Sequence, residues 1–159
     1  MEGSNNFGAA DVVTDIIGKA TFKGTAPSSV ATGWTVQAIF DGDSLYSASK
    51  SATLTYNTTK HSVSLTLKIT PTKVSRGGTF SVSGILTDTA SDVSLAGKTI
   101  TFTAESIVIP NAITDASGNY LVKGIIVPSV SGKYNIQAMF SGDALYKSKS
   151  SAIKTLTVK

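Results

Sequence analysis

Apolar and polar residues alternate with a period of two along most of the chain. Val63, Leu65, Leu67 and Ile69 form one such series, ending at Pro71; Phe80, Val82, Gly84 and Leu86 form a second, and Ile100, Phe102 and Ala104 a third. A new series begins at Ile107–Ile109; Asn119–Val127 follows, with Val122 on one face and Lys123 on the other. Tyr134, Ile136, Ala138 and Phe140 then point one way while Gln137 points the other, and Ser151–Val158 closes the run. A two-residue period puts every second side chain on one face, as in a half-buried β-strand, and no helical periodicity competes with it. Turn residues separate the series, with Ser91–Ala96 as a loop, so residues 62–159 are predicted to hold about seven short strands at the spacing of an antiparallel β-sandwich.

The second feature of the pattern is that it recurs. Val36-Gln37-Ala38-Ile39-Phe40-Asp41-Gly42-Asp43-Ser44-Leu45-Tyr46 returns as Ile136-Gln137-Ala138-Met139-Phe140-Ser141-Gly142-Asp143-Ala144-Leu145-Tyr146, and residues 14–56 align without a gap at an offset of 100. Fixed-offset recurrence marks a tandem repeat. In the first copy Val12–Phe22 reads as two short strands around a tight turn, Asp15 and Gly18 answering to Asp115 and Gly118. Lys19–Ala26 then reads as a strand with Phe22 on one face and Lys23 on the other, ended by Pro27. Trp34, Val36, Ala38 and Phe40 are expected inward, Leu45-Tyr46 plugs the core end, and Ser51–Tyr56 closes. Residues 11–57 are thus expected to be the last four strands of a repeat, 58–61 a linker, 62–159 a complete sandwich and 1–10 a tail. The same arithmetic leads to the expectation that the chain is cut from a longer array.

Composition narrows the function classes. Hydrophobic residues make up 41% of the 159 and charged residues 15%, with Ser and Thr about a quarter, as suits strands with uncharged outer faces. The net charge of +4 comes from singly scattered lysines without interleaved aromatics, which argues against nucleic-acid binding. There is no cysteine, which excludes disulfides, thiolate zinc sites and cysteine nucleophiles. No apolar run is long enough to insert in a membrane, and Met1–Asn6 lacks the basic start and apolar stretch of a signal peptide.

Four segments together carry a family resemblance. Ile69-Thr70-Pro71 with Gly78-Thr79-Phe80-Ser81-Val82-Ser83-Gly84, then Gly97-Lys98-Thr99-Ile100-Thr101-Phe102, then Thr114–Tyr120, then Phe140–Tyr146 resemble bacterial-type immunoglobulin-like repeats of prokaryotic surface proteins and adhesins. The resemblance covers 62–159 and the second half of a repeat in 11–57. It implies an all-β, immunoglobulin-like antiparallel β-sandwich acting as a spacer, stalk or adhesive module, extracellular or on the cell surface.

Chemistry-bearing motifs add little to that. Gly42-Asp43-Ser44-Leu45 spells the block of the GDSL hydrolases, but their nucleophile needs an Asp-x-x-His, and the one histidine, His61, is preceded at that spacing by Thr58, while the sister copy has Ala144. Asp41, Asp43 and Asp143 are the candidates for calcium, yet hard-cation sites need several converging oxygens and the sister copy keeps one acid of two. Asp88, Asp92 and Asp115 read as turn caps, and Arg76 as a residue at the sandwich end. Glu105 falls out of phase with Phe102 and Ala104, and no Asn or Asp lies in the final strand, against a buried Lys–Asn isopeptide. Asn57-Thr58-Thr59 is an N-glycosylation sequon.

The reading that follows is a module with no catalysis, no catalytic residue and no cofactor. A half-repeat leaves an apolar face and open edges, so self-association, or pairing with neighbouring immunoglobulin-like repeats, is expected through residues 11–57. The alternative is a glycan- or protein-binding module using the loops around 88–96 and 141–150.

Overall fold

The computed structural model of the chain describes residues 11–24 and 30–159, all of them strand, turn or loop. The expected tail 1–10 and the strand end at Thr25, Ala26 and Pro27 lie outside the described residues. The chain divides into two units, Met1–Thr59 and Lys60–Lys159. No helix of the described residues is long and apolar enough to cross a membrane.

The first unit has four short strands: β1 (Trp34–Val36), β2 (Ile39–Phe40), β3 (Ser49–Lys50) and β4 (Leu54–Tyr56). β1 pairs antiparallel with β4 and β2 with β3, as two separate ribbons. The Asp15 turn forms as expected, with its carboxylate accepting from the Ile17 and Lys19 amides at 3.0 and 2.9 Å. The strands expected on either side of it do not form among residues 11–24. A turn needs only its own residues, whereas a strand needs a neighbour to take its N–H and C=O groups, and among the described residues no strand pairs with 11–24.

The second unit is built from β5 (Val63–Leu65), β6 (Lys68–Thr70), β7 (Lys73–Val74), β8 (Thr79–Asp88), β9 (Thr99–Ala104), β10 (Ala112–Ile113), β11 (Asn119–Ile126), β12 (Gly132–Phe140), β13 (Lys149–Ser150) and β14 (Lys154–Val158). One sheet runs β11-β8-β5, with β6 continuing along β8; the other runs β10-β9-β12-β14-β7, with β13 on β12. All pairings are antiparallel except β7 on β14. The chain changes sheets between β6 and β7, beside the cis Thr70-Pro71 bond. The core between the sheets holds the inward series read from the sequence: Val63, Leu65, Leu67, Ile69, Phe80, Val82, Leu86, Ile100, Ile136, Ala138, Phe140, Leu156 and Val158.

Two details depart from the simple alternation. The first expected strand is broken into β5 and β6 at Thr66-Leu67, although both pieces keep one register against β8. There the Ile85 amide donates to the Thr66 hydroxyl at 2.9 Å instead of to its carbonyl, and the carbonyl accepts from the Tyr120 hydroxyl at 2.5 Å. Gly84 lies opposite Tyr120, and a Cβ on it would come within 2.0 Å of the Thr66 oxygen and 2.5 Å of the Tyr120 hydroxyl. Glycine is therefore required where the phenol crosses β8, and the ring restores the packing that the missing side chain forgoes. The second departure is Ile107–Ile109, where no strand forms; Ile107 and Ile109 are buried from an irregular segment, and β10 pairs with β9 instead.

Candidate functional site

At the end of the second unit where the chain enters, backbone and side chains converge on one turn. Gly142 takes φ +81°, and a Cβ there would meet the Ser148 nitrogen at 2.7 Å, so glycine is needed to start the turn. Asp143 closes it: its Oδ1 accepts from the Leu145 and Tyr146 amides, both at 2.9 Å. Its Oδ2 accepts from Lys98 Nζ at 2.6 Å, and Lys60 Nζ donates to its main-chain oxygen at 2.5 Å. The ammonium of Lys98 also lies 5.2 Å from the centre of the Tyr146 ring.

His61 is laid across the same turn. Its amide donates to the Leu145 carbonyl at 2.8 Å and its carbonyl accepts from the Lys147 amide at 2.9 Å, a short parallel bridge. Its ring meets Tyr146 edge-on at 5.7 Å, and its Nδ1 sits 2.7 Å from Asp88 Oδ2. The imidazole is 52% exposed while the carboxylate is 3% exposed. Asp88 Oδ1 accepts from the Ala90 amide at 2.8 Å. That bond holds the acid below the ordinary carboxylate range; burial opposes it, and the hydrogen bonds and charge of His61 and the Ser91 hydroxyl add to the lowering. For Asp143, burial is the largest influence and pushes upward, but Lys98 and the Leu145 and Tyr146 amides together outweigh it and bring the acid below its usual value.

The structure thus places the sequence candidates as follows. Asp143 is spent on its own turn and on Lys98. Asp43 closes the matching turn in the first unit, its Oδ1 accepting from the Leu45 and Tyr46 amides at 2.8 Å each, while Asp41 is exposed beside it. Among the described residues no three His, Cys, Asp or Glu side chains come together in a metal-binding group. Ser44 lies exposed in the Asp43 turn. Asn57 is exposed, with its side-chain oxygen accepting from the Gly33 amide at 3.0 Å. Arg76 donates its amide to the Lys159 carbonyl at 3.2 Å, at the end of the β7–β14 pairing.

The His61–Asp88 pair was not anticipated, since its partners stand 27 residues apart. The signal was present in the phase of β8, because Asp88 continues the inward series Phe80, Val82, Gly84, Leu86 and an acid at a core position must have a partner.

No protein-family model matches the chain, and no curated protein matches it. A solved structure similar to part of it is that of the Yersinia pseudotuberculosis adhesin InvE, at 21% identity and a TM-score of 0.44, over 60% of this chain and 26% of that one. The chain thus matches about a quarter of the length of that protein.

The first unit offers a different kind of site, a bare apolar face. Residues expected inward there are not covered: Val36 is 41% exposed against 0% for Ile136, and Phe40 44% against 5% for Phe140. Leu45 and Tyr46 do not plug a core end, Tyr46 being 66% exposed, whereas Tyr146 packs against the core of its own unit. Among the described residues of this unit, Trp34 alone of those expected inward is buried, stacked on Tyr56 at 6.4 Å and donating from Nε1 to the Thr58 hydroxyl at 3.2 Å. Among the described residues of this unit there are two two-stranded ribbons and no further sheet to cover these positions. The local hydrogen bonds are nevertheless those of the second unit: Gln37 Nε2 to the Ser51 carbonyl and Gln137 Nε2 to the Ser151 carbonyl are both 2.8 Å, and the Ala38 and Ala138 amides reach the Ser51 and Ser151 hydroxyls at 3.0 Å.

Proposed function

We propose that the chain is a non-catalytic structural or adhesive module of an extracellular surface protein or filament, made of immunoglobulin-like repeats spaced 100 residues apart. It associates with further copies, or with neighbouring repeats, through its incomplete first unit. The observation that carries the reading is the contrast between Phe40 and Phe140, one repeated position that is half-open in the first unit and closed in the second. The strand order β11-β8-β5 facing β10-β9-β12-β14-β7 supports the immunoglobulin-like assignment. A module that binds glycan or protein through the loops at 88–96 and 141–150 is less well supported, because His61, Asp88, Lys98 and Asp143 are already paired with one another there.

Light scattering coupled to size exclusion, over a range of concentrations, tests the proposal. The full chain is expected to self-associate as concentration rises, and Val36→Asp with Phe40→Asp to abolish this without altering the far-ultraviolet spectrum of the second unit. A chain that stays monomeric throughout, with the amides of 34–56 protected from hydrogen exchange, would overturn it.

A further inference from the structure

The turn after β2 carries two carboxylates close together and uses one of them. Asp43 Oδ1 accepts from the Leu45 and Tyr46 amides at 2.8 Å each, and the Asp43 amide donates to the Tyr46 carbonyl at 2.9 Å. Asp41 is exposed, and among the described residues neither its carboxylate nor the Gly42 amide takes part in a hydrogen bond or an ion pair. Asp41-Gly42 is also the one Asp-Gly pair in the sequence. At the offset of 100 its double is Ser141-Gly142, in a turn of the same form, with Gly42 at φ +87° and Gly142 at φ +81°.

We propose that Asp41 is a site of spontaneous succinimide formation and of conversion to isoaspartate. The Gly42 nitrogen attacks the side-chain carboxyl carbon of Asp41; a C–N bond forms, and the carboxyl hydroxyl leaves with the nitrogen's proton as one water. A water then adds to the ring. Opening at the side-chain carbonyl restores aspartate, and opening at the main-chain carbonyl leaves the peptide bond running through the side chain. The water lost in the first step is regained in the second, so no further reactant is needed. Glycine has no Cβ to crowd its nitrogen, no partner holds that N–H, and an exposed carboxyl can take up the proton that lets its hydroxyl leave. Asp43 differs in its bound carboxylate and in the Cβ of Ser44, while Asp11 and Asp92 are exposed but each precedes a valine, whose branched Cβ shields the nitrogen. Ser141 has no carboxyl, so of the two doubled turns only that of the first unit can react. The rearranged main chain is longer by one methylene between residues 41 and 42. Even a Cβ on Gly42 would meet the Ala48 nitrogen at 2.8 Å and the Tyr46 oxygen at 2.9 Å, so the turn has no slack for it. Isoaspartate therefore displaces Asp43 from Tyr46, beside the Phe40–Ser49 pair of the β2–β3 ribbon.

The test holds the full chain at about pH 5, where a share of exposed carboxyls is neutral, and then maps it by peptide mass. The tryptic peptide 24–50 is expected first to show the loss of one water, then to regain the parent mass and accept a methyl group from a protein isoaspartyl methyltransferase. Electron-transfer fragmentation is expected to put the isoaspartate at 41. Asp41→Ser, which gives the first turn the residue of the second, is expected to abolish both the mass loss and the label. Label that persists in Asp41→Ser, label shared evenly among the aspartates, or a 24–50 peptide that takes up none overturns the proposal.

Discussion

Phe40 and Phe140 provide a controlled comparison within one molecule, and truncating each to alanine measures how closed each unit is. Phe140 is 5% exposed between the two sheets, so Phe140→Ala removes a full transfer contribution and leaves a cavity, a loss of about 3–5 kcal/mol. Phe40 is 44% exposed and borders open space, so no cavity contribution arises and only about half of a side-chain transfer energy is lost, roughly 1 kcal/mol. Urea unfolding at low micromolar concentration, with monomer confirmed by light scattering, separates the two. Trp34 is the one tryptophan and reports the first unit by fluorescence, while far-ultraviolet circular dichroism is dominated by the longer strands of the second. With a slope of roughly 1.5 kcal/mol per molar urea, Phe140→Ala is expected to lower the second unit's midpoint by ~2 M or more. Phe40→Ala is expected to change the fluorescence transition by less than ~1 M. Equal losses in the two variants, independent of protein concentration, would mean that Phe40 sits in a closed core within a single chain and would refute the open-face reasoning.

Gly84→Ala places a methyl group against the Thr66 carbonyl and the Tyr120 hydroxyl, so the phenol must move and its hydrogen bond is lost. The second unit is expected to lose about 2–5 kcal/mol from overpacking and the broken bond together, read as a fall in its urea midpoint; a loss under ~1 kcal/mol would show that Tyr120 does not cross the strand there. Acid lowers the stability of the second unit for a stated reason: Asp88 and Asp143 titrate below their unfolded value, so their contribution is complete above about pH 4 and is lost as pH falls through the folded values. Urea midpoints between pH 7 and 2.5 are expected to fall below about pH 4, less steeply in Asp88→Asn, and parallel profiles for the two proteins would remove Asp88 from the linkage.

What the sequence made legible follows the range of the interactions involved. The turns at Asp15, Asp43, Asp115 and Asp143 are closed by a carboxylate bonding amides two to four residues on, and each forms where its residues stand, whether or not a sandwich surrounds it. The inward series of the second unit was also readable, because a period of two fixes the face regardless of which strand lies opposite. Burial was not readable in the first unit: Val36 and Phe40 have the same phase as Ile136 and Phe140, but whether they are covered depends on a sheet contributed by residues far away in sequence. The irregularity at Thr66 and the His61–Asp88 pair are likewise agreements between distant residues, one set by a phenol from β11 and the other by a loop folding back on the chain entry.

The same distinction bears on function. In the first unit the local hydrogen bonds of the Asp43 turn and of Gln37, Ala38 and Ser51 match those of the second. What differs is burial, Val36 and Phe40 being open where Ile136 and Phe140 are closed. On the association proposed above, a segment with its turns already set would give up little further conformational entropy, and the energy of association would come mainly from burying Val36 and Phe40. On that proposal, 34–56 would associate more readily than an unfolded segment of the same composition. The block Val36–Tyr46 and its double at Ile136–Tyr146 therefore hold the same turn, closed by Asp43 in one unit and Asp143 in the other, but of the two apolar faces only that of Ile136 and Phe140 is covered among the described residues.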